Sequence, residues 1–426
     1  MRVLYLVYSP QESFNVFVDK SRTGFSWVDS LLDEIVKHDE IAIGLAVPLK
    51  SGNFQAAKSE RIFLYGLPDY TGENKLNDYL RRIRHKESET KLSDYAFEAM
   101  NDFKPDIIQI FGTENPLGLI IQQTNKPVVI HFQGSLEVVM GKWFSGISKC
   151  EQILYSSIKN LLLFKGSYHE FSTFKAKTQR ERLIIKNCRY FIGRTNFDKH
   201  IISLFSSYST YFHCDEFIRG QFLQSHWNLI PGNTFSCISI LKGVTYKGLD
   251  LLLETSEILG KYTPLTVNFK VCGIREDEEI VCLFKKKYKG RVDFSRFLFL
   301  GKLDTNFLIE NMCDSNLYIH PSYIENSSNS ICEAMALGMP VIATNVGGTS
   351  SLINDGIDGL LVQEGEPYSM AAAINELILD YQYARKLGKN AKLRSALRHD
   401  PQKLYRDLLN IYKKISLNTE NNDEPK

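Results

Sequence analysis

Short apolar runs alternate with helix-spaced stretches along this 426-residue chain. Residues 3–7, 41–47, 61–65, 107–111 and 128–132 are mainly aliphatic and aromatic, each the length of one strand. Such apolar runs suit a parallel sheet covered on both faces. Between the first two, residues 26–37 place Trp27, Leu31, Leu32 and Ile35 on one helical face. A strand at 190–192 and a helix at 198–205 continue the alternation. A second series follows, with strands at 237–241, 267–272, 297–300, 317–320 and 341–343 and helices at 248–259, 369–379, 383–397 and 401–415. The expected fold class is α/β, with two doubly wound Rossmann-like domains facing a cleft. Pro231-Gly232 break the pattern, so residues 1–230 are expected to form the first domain and 231–400 the second. A final helix at 401–417 and a polar, disordered tail at 418–426 complete the expectation.

The chemistry concentrates in residues 320–349, HPSYIENSSNSICEAMALGMPVIATNVGGT. Glu325 lies just after an apolar strand, and Glu333 lies within a helix that Gly338 and Pro340 stop. The strand–helix–strand order predicts a right-handed unit with parallel strands. Its first loop then opens at the carboxyl edge of the sheet, where ligands bind in open α/β folds. The helix start offers free N–H groups to a phosphate. A carboxylate on either side can accept hydroxyl hydrogen bonds, a layout that fits a sugar nucleotide. The same residues also fit a structural device, a capping box with Ser330 as N-cap and Glu333 three positions on.

Composition narrows the field. A formal charge of +2 gives no sign of nucleic-acid binding. The eight cysteines stand singly, without the paired spacing of a zinc site or a disulfide framework. No segment has the length and apolarity of a membrane span, so a cytoplasmic location is expected.

The residues from Pro321 to Glu325, then Glu333-Ala334-Met335-Ala336, Gly338, Pro340-Val341-Ile342-Ala343, Gly347-Gly348, Gly356 and Gly359-Leu360-Leu361-Val362, closely resemble the donor-site signature of family 4 retaining glycosyltransferases. The resemblance implies the two-domain GT-B architecture, with the last helix crossing back to the first domain. It implies a hexosyltransferase-type enzyme of bacterial surface-polysaccharide type. Its donor would be a nucleotide-diphosphate sugar and its acceptor a hydroxyl of a glycan or lipid-linked molecule. No metal and no cofactor beyond that donor substrate are implied. Glu333 would hold the ribose hydroxyls and Glu325 would orient the transferred sugar. Lys247, with Lys242 and the helix start at Asn329 and Ser330, would stabilise the departing diphosphate. Lys242 stands where the family carries arginine, and lysine lacks the bidentate fork. In the first domain, Gly24 would let backbone approach the donor, His131 would contact the sugar, and Arg194 would reach a phosphate or the acceptor.

The chain departs from the family at Asn326-Ser327-Ser328-Asn329, which replace a glycine–aromatic–glycine run. Two alternatives remain: a sugar-nucleotide epimerase, and a non-catalytic sugar-nucleotide-binding subunit. Residues 142–186 hold nine Lys/Arg against three acidic residues among aromatic and aliphatic side chains. They suit either peripheral contact with an anionic membrane at its cytoplasmic face or an ordinary solvated surface.

Overall fold

The computed structural model describes residues 1–8, 27–49, 53–59, 61–69, 92–158, 160, 163, 166–229, 232 and 234–420. The chain forms two compact units: residues 1–137, 172–217 and 399–426, and residues 138–171 and 218–398. Sequence pattern puts one boundary at 230/231, whereas contacts put it after Phe217 and place residues 138–171 with the second unit. The cause is local packing. Trp143 and Ile147 are buried, Thr245 Oγ1 donates to the Trp143 carbonyl, and Lys287 Nζ donates to the Gly146 carbonyl at 2.8 Å.

The first unit is built on eight strands: β1 (Arg2–Leu6), β2 (Ala42–Leu49), β3 (Gln55–Ser59), β4 (Ile62–Pro68), β5 (Ile107–Phe111), β6 (Val128–His131), β7 (Tyr190–Gly193) and β8 (Thr210–His213). Their order is β3-β4-β2-β1-β5-β6-β7-β8. All neighbours are parallel except β3 and β4. The antiparallel edge strand β3, QAAKS, carries no apolar run that periodicity could detect. Alternate residues of β1 feed opposite cores, Val3 and Tyr5 on one face and Leu4 and Leu6 on the other. The helix Pro401–Glu420 lays Leu404, Leu408, Tyr412 and Ile415 into the Tyr5 face. These positions recur at helical spacing, and burying each aliphatic side chain contributes about 1.5–3 kcal/mol. The helix runs three residues into the stretch expected to be disordered, because no Gly or Pro interrupts it before Glu420. The rest of that tail lies outside the described residues.

The second unit holds β9 (Thr234–Ile240), β10 (Thr266–Cys272), β11 (Phe297–Gly301), β12 (Leu317–His320), β13 (Val341–Thr344) and β14 (Leu360–Val362). The order is β11-β10-β9-β12-β13-β14, and every pairing is parallel. From β9 the chain moves outward through β10 and β11, then returns to the other side of β9 as β12. The crevice between the carboxyl ends of β9 and β12 is therefore a topological switch point. Both units are Rossmann-like α/β layers, as expected.

Candidate functional site

The loop after β9 carries Lys242 and Lys247, and the loop after β12 carries Glu325, so topology alone brings both to the switch point. Gly248 ends the first loop at φ 78°, and a Cβ there would lie 2.0 Å from the Pro321 carbonyl oxygen. Only glycine permits both that dihedral and that approach. Gly347 does the same for Glu325: its φ is 51°, and a Cβ would lie 1.9 Å from the Glu325 carbonyl oxygen. Gly348 N–H donates to that same oxygen at 3.1 Å. The glycines of the signature thus fix the backbone under the carboxylate.

Lys247 Nζ lies 2.6 Å from Glu325 Oε2, and His320 Nε2 lies 3.0 Å from the same oxygen. Asn326 N–H donates to Oε1 at 3.3 Å. The Lys247 and Glu325 side chains are 17% and 14% exposed, so solvent screens the pair weakly and still reaches it. Burial alone would raise the Glu325 carboxyl, but the Lys247 charge and the His320 hydrogen bond outweigh it and hold the group well below the usual carboxylate range. Glu325 is therefore an ionised acceptor at any ordinary pH. His320 closes β12, fully buried, and sequence reasoning assigned it no role. Its position five residues before Glu325 at the strand's carboxyl end was the available signal.

The helix Asn329–Leu337 begins two residues earlier than the capping-box alternative requires. Ser328, not Ser330, is the N-cap, and it makes no side-chain cap hydrogen bond. Ser330 Oγ instead accepts from Tyr318 Oη at 2.6 Å. An uncapped first turn leaves backbone N–H groups for an anion. Glu333 consequently lies in the second turn. Arg219 binds it bidentately: Nε donates to Oε1 and Nη2 to Oε2, each at 2.8 Å. Arg219 Nη1 also donates to Thr305 Oγ1 at 3.0 Å, and the guanidinium lies over the Phe222 ring. Burial raises the Glu333 carboxyl, and Arg219 pulls it only part of the way back. Arg219 was not singled out from sequence, because its partner lies 114 residues away. A carboxylate has about four lone-pair positions; Arg219 occupies two, which leaves two for hydroxyl donors. Lys242 is exposed and makes no ion pair among the described residues. Asn329 is half-buried at the helix start, where Oδ1 has no hydrogen-bond partner.

In the first unit, His131 and Arg194 follow the neighbouring strands β6 and β7 and meet around one indole. The His131 ring centroid lies 4.9 Å from that of Trp27 and stacks on Phe111 at 5.6 Å. The Arg194 guanidinium sits 5.4 Å from the Trp27 ring centroid. Burial first, then the Arg194 charge, push the His131 imidazole down to about 3, so it stays neutral. Its tautomer follows from a buried chain. Tyr412 Oη donates to Gln109 Oε1 at 2.6 Å, which turns the Gln109 amide nitrogen toward His131 Nδ1 at 3.5 Å. Nδ1 is then the acceptor and Nε2 carries the proton, buried with no hydrogen-bond partner among the described residues. Trp27 was read from sequence only as part of an apolar face, and Gln109 and Tyr412 carried no signal. Gly24 lies outside the described residues.

These two units define the GT-B fold. Sucrose-phosphate synthase from Thermosynechococcus elongatus shares it with a TM-score of 0.70 and 16% identity, over 97% of this chain and 99% of that one. Anabaena HepE in complex with UDP-glucose shares it with a TM-score of 0.63 and 16% identity, over 99% and 100%. Residues 226–394 match the glycosyl transferases group 1 family, and the chain resembles the family 4-like members of that group. The capsular polysaccharide biosynthesis glycosyltransferase CapM of Staphylococcus aureus is 29% identical over 197 residues, 45% of this chain and 49% of that protein. The chain spans about half or less of the length of the curated relatives it matches.

Proposed function

We propose that the protein is a retaining glycosyltransferase that moves a sugar from a nucleotide-diphosphate donor to a hydroxyl of a glycan or lipid-linked acceptor. The observation that carries this is the Lys247–Glu325–His320 constellation at the switch point beside an uncapped helix. The uncapped N–H groups, Lys247 and the exposed Lys242 supply the positive field that a departing diphosphate needs. Glu325, ionised and fixed from three sides, accepts a hydroxyl hydrogen bond of the transferred sugar. Glu333, gripped bidentately by Arg219, accepts the ribose hydroxyls with its remaining lone pairs. His131 offers a neutral Nε2–H donor to a substrate hydroxyl, and Arg194 beside it offers positive charge to a phosphate or acceptor. Glu325 is too heavily engaged by Lys247 and His320 to act as a free nucleophile, which favours attack on the face from which the diphosphate leaves. Leu154 and Ile158 are 73% and 76% exposed, which supports peripheral contact with an anionic membrane when the acceptor is lipid-linked. No helix among the described residues is long and apolar enough to cross a membrane.

Thermal shifts with UDP, GDP, ADP and CMP test the donor site. A ligand at about a hundred times its Kd stabilises by about 2.7 kcal/mol. One diphosphate should shift the wild type, and Glu333→Gln should abolish the shift. Product analysis of the matching nucleotide sugar should then give the donor's anomeric configuration. No shift with any nucleotide, or an inverted product, would overturn the proposal.

A further inference from the structure

A second cavity lies at the opposite edge of the second sheet. It is lined by His226, Trp227, Leu337 and Gly338 and by four cations of one helix, Arg385, Lys386, Lys389 and Lys392. Leu337 and Gly338 precede β13, so this cavity sits at the amino ends of the strands, whereas Lys247 and Glu325 follow their carboxyl ends. Its volume is about 580 Å³, within the usual range for a small-molecule site.

The charge here is unbalanced. The helix Tyr381–Arg398 contains six Lys/Arg and no Asp or Glu. Arg394 is used elsewhere, donating to Leu352 O and Ser351 O. Among the described residues the four cavity cations have neutral partners or none. Arg385 Nη2 donates to Asn228 Oδ1 at 3.2 Å. Lys392 Nζ donates to Ser225 O at 3.1 Å and touches His226 Nδ1. No carboxylate lines the cavity. The helix ending at Leu337 brings its negative end here, but that amounts to about half an elementary charge against four. The local excess thus exceeds the +2 of the whole chain. Burial lowers the Lys392 ammonium's proton affinity. Trp227 Nε1 is committed to Ser315 O, which leaves the indole, with Leu337, as an apolar wall.

We infer that this cavity binds a compact phosphate-bearing ligand at a site separate from the donor cradle. The phosphate sits among Lys386, Lys389, Lys392 and Arg385, and any ring or chain it carries lies on Trp227. This inference does not rest on the proposed transfer reaction.

Calorimetric titration with inorganic pyrophosphate at low salt tests it, in the wild type, Lys247→Ala, and Lys386→Ala/Lys389→Ala. Both lysines are exposed, so the double variant should fold, and its melting curve checks that. Lys247→Ala should retain binding at the second site. The double variant should lose at least tenfold affinity there, and added salt should weaken what remains. Unchanged pyrophosphate titration in the double variant, or loss of all binding in Lys247→Ala alone, would overturn the inference. Co-sedimentation with phosphatidic acid against phosphatidylcholine vesicles separates the two sources of the same chemistry. Pyrophosphate-competed capture by the acidic vesicles alone assigns a lipid headgroup, and no capture assigns a soluble phosphate compound.

Discussion

Replacing Arg219 by methionine should expose how much of the second unit rests on one ion pair. Methionine keeps most of the side-chain volume and the packing on Phe222, but it strands Glu333, whose side chain is 7% exposed. Two charge-assisted hydrogen bonds of 2.8 Å disappear. Breaking a buried pair from one side costs about 3–5 kcal/mol. In a unit of this size each kcal/mol moves Tm by about 2–4 °C, so a fall on the order of 10 °C is expected. Arg219→Lys keeps the charge without the fork and should lose less, about 1–3 kcal/mol. Burial already raises the Glu333 carboxyl; without Arg219 it rises further, and Glu333 should be protonated closer to neutral pH. A protonated Glu333 is a poorer ribose acceptor, so diphosphate affinity should fall more in Arg219→Met at pH 6 than at pH 8. Differential scanning calorimetry and nucleotide titration at the two pH values measure both effects. An unchanged Tm together with pH-independent nucleotide affinity would refute the coupling of Arg219 to Glu333.

Gly248→Ala should destabilise by more than about 1 kcal/mol and abolish diphosphate binding, since the new methyl meets the Pro321 carbonyl at a left-handed dihedral. Wild-type urea midpoint and nucleotide affinity in the variant would contradict that. Glu325 is held below its unfolded value, so its contribution is present above about pH 4.3 and lost as pH falls toward the folded value. The stability gap between wild type and Glu325→Gln should therefore be flat above about pH 5 and narrow below it; a gap that widens in acid would contradict the ion pair. His131 behaves oppositely. With its folded value near 3, the unfolded chain takes up its proton first, so His131 removes stability as pH falls below about 6.5, by up to about 1.4 kcal/mol per pH unit. His131→Phe should flatten that acid slope in denaturation curves, and an identical slope would mean the imidazole is charged in the fold. Tyr412→Phe should free the Gln109 amide and let His131 exchange tautomers, visible in nitrogen NMR shifts of the ring; a spectrum like the wild type's would break the proposed chain.

The strands of the second sheet were close to legible, because β9, β10, β12 and β13 are short, mainly apolar segments bounded by turn residues. The edge strand β3 was not, since an edge needs no apolar run, and neither were helices such as Glu279–Lys287, whose polar faces dilute the period. Lys247 and Glu325 could be named because local spacing puts both at strand ends. Arg219 and Gln109 could not, because what makes them matter is a partner 114 or 303 residues distant. Ser330 was placed as a cap by a four-residue pattern, yet Tyr318 competes for its hydroxyl from the adjacent strand, which no local rule includes.

The helix Pro401–Glu420 has a consequence for how the molecule comes into being. Leu404, Leu408 and Tyr412 fill the same core as Val3 and Tyr5, so during synthesis the first sheet lacks one covering layer until residues 401–420 emerge. Residues 218–398 contain every strand of the second sheet and can close their own core meanwhile. The first unit thus closes only after the second has been made, and its exposed face must be kept from aggregating through that interval.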